Sequence, residues 1–337
     1  MPNRITSVSL FLLSISMVYI SCEMDSKELP LTDLTVNIQR LDRFVFDNSA
    51  SVISSTYPSF SDIYFKNILN IKDDTDSLSN LQLEQFKSDD FILELKHKTD
   101  SIFENVDLLE KQLAVSLDLF QQQTGESTTP QIYSFIGGLS YQSFLFDDNG
   151  NDGIGIGLDM FLGDGFRYEQ LSGQNPAFSQ YISRTFNKDH ITKKVMETIL
   201  DDRLGQAKGN RMLDYMIHNG KKSYLLEQFI PFVHDSIIME YTANQLRWCD
   251  QNQSQIWSHF LREDLFYETD FRKINKLINA SPQSPGMPDE APGKTANFIG
   301  WKIVSTFMRR HPEVSISELM SLTNYQELLD KSKYKPK

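Results

Sequence analysis

The sequence predicts an α+β chain, mostly helical, folded as a single domain around a small antiparallel sheet. Apolar residues recur at three- and four-residue spacing through most of its length, which is the helical period. One stretch, 131–162, drops to a period of two. Inside that stretch lies Asp147-Asp-Asn-Gly-Asn-Asp-Gly153, which contains Asn-Gly and Asp-Gly, the strongest short hairpin signal. The chain has 337 residues and 40% hydrophobic content, ample for one large core, and no internal repeat divides it.

The N-terminus reads as a targeting segment. Arg4 is followed by an almost unbroken apolar run from Val8 to Ile20, and then by Ser21-Cys22 and the polar Glu23-Met-Asp-Ser-Lys-Glu28. A basic start, a short apolar run and a small residue at the cut make a secretory signal. The run is short for a membrane span, which needs about 20 residues. A Cys placed directly after Ile20-Ser21 looks like a lipobox, whose thiol is acylated (palmitate is a common chain) and becomes the new N-terminus. The expected organisation is a signal peptide over 1–21, a lipidated tether over 22–33 and one globular domain over 34–337. The membrane is then met through acyl chains on Cys22, with the domain outside the cytoplasm, facing the periplasm or the surface.

About 315 residues remain after such a cleavage. Net charge is −12, or −13 once Arg4 is removed. This acidic balance argues against a nucleic-acid partner and against electrostatic adhesion to anionic lipid. Of the two cysteines, Cys249 would be the only free thiol left, so no disulfide framework exists. It stands beside Trp248 and reads as a buried structural thiol.

The elements follow in order. Val36 and Ile38 alternate before Leu41, Phe44 and Phe46, a first strand running into an amphipathic segment. Phe60, Ile63, Tyr64, Ile68 and Leu69 suit a helix. Residues 81–98 and 102–120 are helical by period, with Asp100-Ser101 as the expected N-cap of the second. Gln131–Ile136, Phe144–Phe146 and Ile154–Leu162 read as strands. Helices are expected over 190–204, over 210–230 with a break at Gly220, and over 242–265 with a Thr242/Gln245 capping box. Further helices fit 295–310, closed by His311-Pro312, and 317–329. The stretch Ser281–Thr295, with Pro282, Pro285, Pro288 and Pro292, is irregular. It is a lid, a docking surface or a packed connector.

Sharper motifs fail on their details. Counted from Asp148, a calcium loop would have Gly153 sixth but Asp159 twelfth, where a bidentate Glu is needed. Gly153, Gly155 and Gly157 alternate and open no helix, so they form no dinucleotide fingerprint. Gly293-Lys-Thr295 echoes the end of a P-loop, but the first glycine of that motif is missing. Asp201-Asp202 and Glu263-Asp264 read as solvated helix faces.

The order of several stretches resembles a known family. After the lipobox come Tyr133-Ser-Phe-Ile136, Leu158-Asp-Met-Phe-Leu-Gly163, Leu213-Asp-Tyr-Met-Ile217 with Gly220-Lys-Lys-Ser-Tyr224, and Tyr241-Thr-Ala-Asn-Gln-Leu-Arg-Trp248. Ile256-Trp257, Ser281-Pro-Gln-Ser-Pro285, Pro292-Gly-Lys-Thr295 and Ile299-Gly-Trp-Lys-Ile-Val304 complete the series. This is similar to the gliding-motility lipoprotein GldB family of the Bacteroidetes. The resemblance implies a lipid-anchored envelope protein required for gliding. It would act by protein binding, as an accessory of the gliding and type IX secretion machinery, with those proteins as partners.

The arrangement also looks distantly like zinc peptidases of the His-Glu-x-x-His type, whose helix carries two His at i and i+4. Here the corresponding helix reads His190-Ile-Thr-Lys-Lys-Val-Met-Glu197, without that motif. None of the six histidines, His97, His190, His218, His234, His259 and His311, pairs with another at ligand spacing. The expectation is therefore no catalytic residue, no metal and no cofactor, on a zincin-like fold that has lost its metal or on an unrelated α+β fold. The opposing reading is an envelope metallopeptidase or other hydrolase.

Overall fold

The computed structural model describes residues 28–71 and 76–337. Cys22 and the 1–21 signal fall outside these residues. No helix among those described is long and apolar enough to cross a membrane.

The chain enters through strand β1 (Ile38–Arg40) and helices α1 (Leu41–Asp47), α2 (Ala50–Thr56) and α3 (Pro58–Ile63), the last passing into a π turn at Tyr64–Ile68. Then come α4 (Asp76–Ser88), α5 (Asp90–Ile102) and α6 (Asp107–Thr124). Asp100 and Ser101 do not cap a helix. They lie inside α5, which is capped instead by Asp89, whose side chain accepts from the Phe91 and Ile92 amides. The early cap had already set the helical phase, so the later Asp-Ser pair is simply carried along.

Strands β2 (Gln131–Phe135), β3 (Ser143–Asp148) and β4 (Asn151–Gly157) complete a four-stranded sheet in the order β1-β2-β4-β3. The expected hairpin forms between β3 and β4, with Asn149 and Gly150 at positive φ in its turn. The sheet is mixed rather than antiparallel, because β2 runs parallel to both β1 and β4. Only the hairpin is a local pairing. The parallel ones need long crossovers, which leave no short-range signal. The chain also leaves the strand earlier than expected: Leu158–Phe161 is a 3-10 turn, which carries Asp159 inward.

The two faces of the sheet explain its glycines. Gly153 stands opposite Phe146, and Gly155 opposite Phe144. A Cβ on either glycine would lie 2.4 Å from that ring. The bare backbone is the floor on which β3 lays its aromatics. These rings cluster with Tyr133, Phe135 and Phe60 under α1–α3. Ile132, Ile154 and Ile156 face the other way, into the larger core.

That core is built by α8 (Ile191–Leu204), which follows the four-residue α7 (Gln180–Ser183), and by the helices after it. They are α9 (Met212–Phe229), α10 (Asp235–Met239), α11 (Ala243–Gln251), α12 (Gln253–Arg262), α13 (Phe271–Ile278), α14 (Thr295–Arg310), α15 (Ile316–Ser321) and α16 (Tyr325–Ser332). The Thr242/Gln245 capping box opens α11. Gly220 does not break α9, which runs through it and uses the missing side chain to meet α14. Between α13 and α14 the proline-rich stretch is irregular, anchored at Ser284 and at Ala291, Pro292 and Gly293, while Pro282, Pro285 and Pro288 are exposed. Ser284 is buried, bonds the Pro292 carbonyl at 2.6 Å and shares a 2.7 Å bond with the Thr295 hydroxyl.

Candidate functional site

The strongest concentration of buried charge lies where α8, α9 and α14 converge. Helix α8 is seated on the sheet through Ser143, whose hydroxyl donates to the Lys194 carbonyl at 3.3 Å and shares a 2.5 Å bond with Thr198. Val195, Met196, Ile199 and Leu200 are buried on the core side. One turn of this helix presents Lys193, Lys194 and Glu197. Lys193 is 1% exposed, so its ammonium must find its partners inside the protein.

It finds two. Lys193 Nζ lies 2.6 Å from Glu197 Oε2 and 2.9 Å from Glu240 Oε1. Lys194 Nζ is 2.5 Å from Glu240 Oε1 and 3.5 Å from Glu197 Oε2. From α9, Lys222 reaches Glu197 at 3.6 Å and Asp201 at 2.8 Å. Lys294 closes the set with a short ion pair to Glu240. Glu240 and Lys294 both sit at positive φ, 58° and 62°, at the end of α10 and the start of α14. Arg184 adds a donor to the Glu240 carbonyl at 2.8 Å. Two residues held in the left-handed region at one cluster mean that the packing, not local preference, fixes them.

Burial alone would raise the Glu197 carboxyl, but the Lys193, Lys194 and Lys222 ammoniums outweigh it and hold it below its ordinary value. Glu240 is likewise driven well down, burial being overcome by Lys193, Lys294 and Lys194. Lys194 and Lys222 rise, because Glu197 leads the attractions that outweigh their burial. Lys193 falls, since for the most enclosed ammonium burial wins over both glutamates. A polar cavity of about 160 Å³ opens beside the cluster, lined by Lys193, Glu197, Asn219, Lys222, Lys294 and Asn297 among others. Every charge in it already faces an opposite charge. The arrangement can pin three helices and can receive a small polar group, whereas a proton transfer through Glu197 or Glu240 would first have to break ion pairs.

The residues singled out by the sequence are dispersed. His97 is exposed. His190 bonds Asn187 at 2.9 Å, His234 bonds Ser236 at 2.8 Å, and His311 lies 3.1 Å from Glu313. His218 is buried 3.2 Å from the Tyr325 hydroxyl, and burial lowers it to about 4. His259 packs against Gly286. Among the described residues no three His, Cys, Asp or Glu side chains gather to hold a metal ion. Burial pushes the Cys249 thiol up to about 12, as befits a structural residue. In the hairpin turn Asp147 accepts from the Gly150 amide at 2.6 Å, Asp148 from the Tyr133 hydroxyl at 2.6 Å, and Asp152 pairs with Arg203 at 2.5 Å. Gly293-Lys-Thr295 opens α14, with Lys294 committed to Glu240.

Sequence reasoning did not single out Glu240, Lys193 or Lys222, and it met Lys194 only inside the His190–Glu197 stretch and Lys294 only inside the P-loop echo. The one available signal was Lys193 and Glu197 at i, i+4, a spacing shared with ordinary solvent-facing pairs.

Residues 23–336 match the family described as gliding motility protein GldB, nearly the whole chain. No curated protein and no solved structure matches it.

Proposed function

We propose that this chain, which belongs to the gliding motility protein GldB family, works at the cell envelope through binding rather than catalysis. Acyl chains on Cys22 hold it at a membrane, and the globular domain serves as an accessory of the gliding and type IX secretion machinery by contacting its proteins. Family membership ties the chain to gliding motility and to a lipoprotein class. The observation that carries the binding reading is the closed cluster around Glu197 and Glu240, in which each carboxylate is held anionic by several ammoniums.

The spacing of that cluster supports a second element of the proposal. Lys193, Lys194 and Glu197 stand at the relative positions of the first His, the Glu and the second His of a His-Glu-x-x-His helix. Here an ion pair joins the two positions that would hold a metal between them. This favours a peptidase-derived fold in which charge pairing has replaced the metal.

The test replaces the native copy by variants in the bacterium that carries it and scores colony spreading. Cys22→Ala is expected to abolish acyl labelling and gliding together. Glu197→Gln, at wild-type abundance and with the fold verified, is expected to leave gliding intact. Loss of gliding from that folded, anchored variant would assign chemistry to the cluster and overturn the binding reading.

A further inference from the structure

A second cavity lies along the C-terminal half of α14, beyond the Lys294 end that joins the ion cluster. It has a volume of about 440 Å³, and its walls carry Lys302, Arg309, Arg310, Lys333, Lys335 and Lys337. The side chains of Glu227, Asp235 and Asp250 also line it, so six cationic side chains meet three anionic ones. In a chain of net charge −12 such an excess runs against the average. Two of the three carboxylates are engaged: Glu227 accepts from the Trp301 indole at 2.9 Å, and Asp250 lies 3.5 Å from Lys302. Arg310, Lys333, Lys335 and Lys337 meet no carboxylate among the described residues.

The basic tail is fixed in place. Ser254 donates to the Lys337 main-chain oxygen through its amide at 3.0 Å and its hydroxyl at 2.7 Å. Tyr334 donates to Gln253 at 2.9 Å. The chain thus spends hydrogen bonds to lay three lysines beside the last turn of α14. The negative end of that helix accounts for Arg309 and Arg310 as favourable last-turn residues. It does not account for lysines brought in from another segment.

We propose that this cleft binds the phosphate of an anionic lipid headgroup. Guanidinium forks and mobile ammoniums are the groups that recognise phosphate oxygens. Six cationic side chains around a volume of about 440 Å³ are more than one phosphate requires, which suits a headgroup with its glycerol. The inference rests on the cleft itself and does not depend on acylation of Cys22.

The experiment uses the full chain in neutral detergent and follows the phosphorus resonance of dihexanoyl phosphatidylglycerol. Broadening by the protein is expected, is weakened by salt, and is absent for dihexanoyl phosphatidylcholine. Arg310→Ala and Lys335→Ala, at exposed positions, should each weaken it about fivefold with the unfolding midpoint unchanged. Equal broadening of the choline lipid overturns the proposal, as does wild-type binding by the double variant. Displacement by equimolar inorganic phosphate would assign the cleft to a free anion. Displacement by poly-glutamate at matched charge would assign it to an acidic peptide. Either result overturns the lipid headgroup as occupant.

Discussion

Gly220 and Gly300 bring α9 and α14 together backbone to backbone. A Cβ on Gly220 would lie 2.2 Å from the Gly300 carbonyl carbon, and a Cβ on Gly300 would lie 1.9 Å from the Met216 carbonyl oxygen. Main chain leaves no flexible side-chain end to move aside. Gly300→Ala is therefore expected to separate the helices and destabilise the fold by at least the about 1–3 kcal/mol of ordinary overpacking. An exposed helical glycine would instead gain by the same change. Urea denaturation of Gly300→Ala against wild type decides it, and a stability equal to wild type would refute the close crossing.

The crossing shows where the sequence was legible and where it was not. Asn149-Gly150 announced its hairpin because a two-residue turn needs positive φ there and nowhere else. Thr242 and Gln245 announced the start of α11 because a capping box is complete within four residues. Gly220 gave the wrong message. A mid-helix glycine reads as a weakness until its partner is known, and that partner lies 80 residues on. The same limit hid the ion cluster. Lys193 and Glu197 look like a surface pair, and only folding brings Glu240 and Lys294 to them. The parallel strand pairs were hidden for the same reason, whereas α14 was plain from its own apolar density.

Glu240→Gln should expose how much the cluster depends on complete pairing. The change leaves Lys193, Lys194 and Lys294 facing a neutral amide in a buried site. Removing one partner of a buried pair costs about 3–5 kcal/mol. The pH dependence has a definite sign. The folded carboxyls of Glu197 and Glu240 are depressed, so their contribution is full above the ordinary carboxyl range, about 4.5, and is lost as pH falls below it. Denaturation at pH 7 and pH 3.5 should show the wild type losing more stability than Glu240→Gln. Parallel losses would mean that the ion pairs contribute nothing.

Asp159 acts in a different pH window and with the opposite sign. It is fully buried, and its Oδ2 accepts from the Gly137 amide at 3.2 Å and the Leu139 amide at 2.7 Å. Its Oδ1 has no hydrogen-bond partner among the described residues. Burial raises this carboxyl to about 6, despite the amides that favour its charge. The folded state therefore takes up a proton between pH 6 and the ordinary value near 3.8, and stability rises as pH falls through that interval. Asp159→Asn keeps an acceptor for both amides and removes the titration. Its stability should be flat from pH 6.5 to 4.5 where the wild type gains. A wild-type slope persisting in the variant would place the titration elsewhere.

Lys221 ties the last helices to α9 with no counter-charge paired to it among the described residues. It is 2% exposed, and its Nζ donates to the Met320 carbonyl at 2.9 Å and the Leu322 carbonyl at 2.7 Å, at the end of α15. Burial lowers its ammonium to about 8 from an ordinary 10.5. Near neutral pH the folded state bears the charged form at a cost. Between pH 8 and 10.5 it releases its proton while the unfolded chain still holds one, so stability from this group rises with pH. Lys221→Met removes both bonds and leaves two carbonyls without their donor, each costing about 1–3 kcal/mol. The deficit of the variant relative to wild type should therefore widen from pH 7.5 to 9.5. A deficit that narrows over that range would mean that the charge itself, through its attraction to the carbonyls at the end of α15, outweighs its burial.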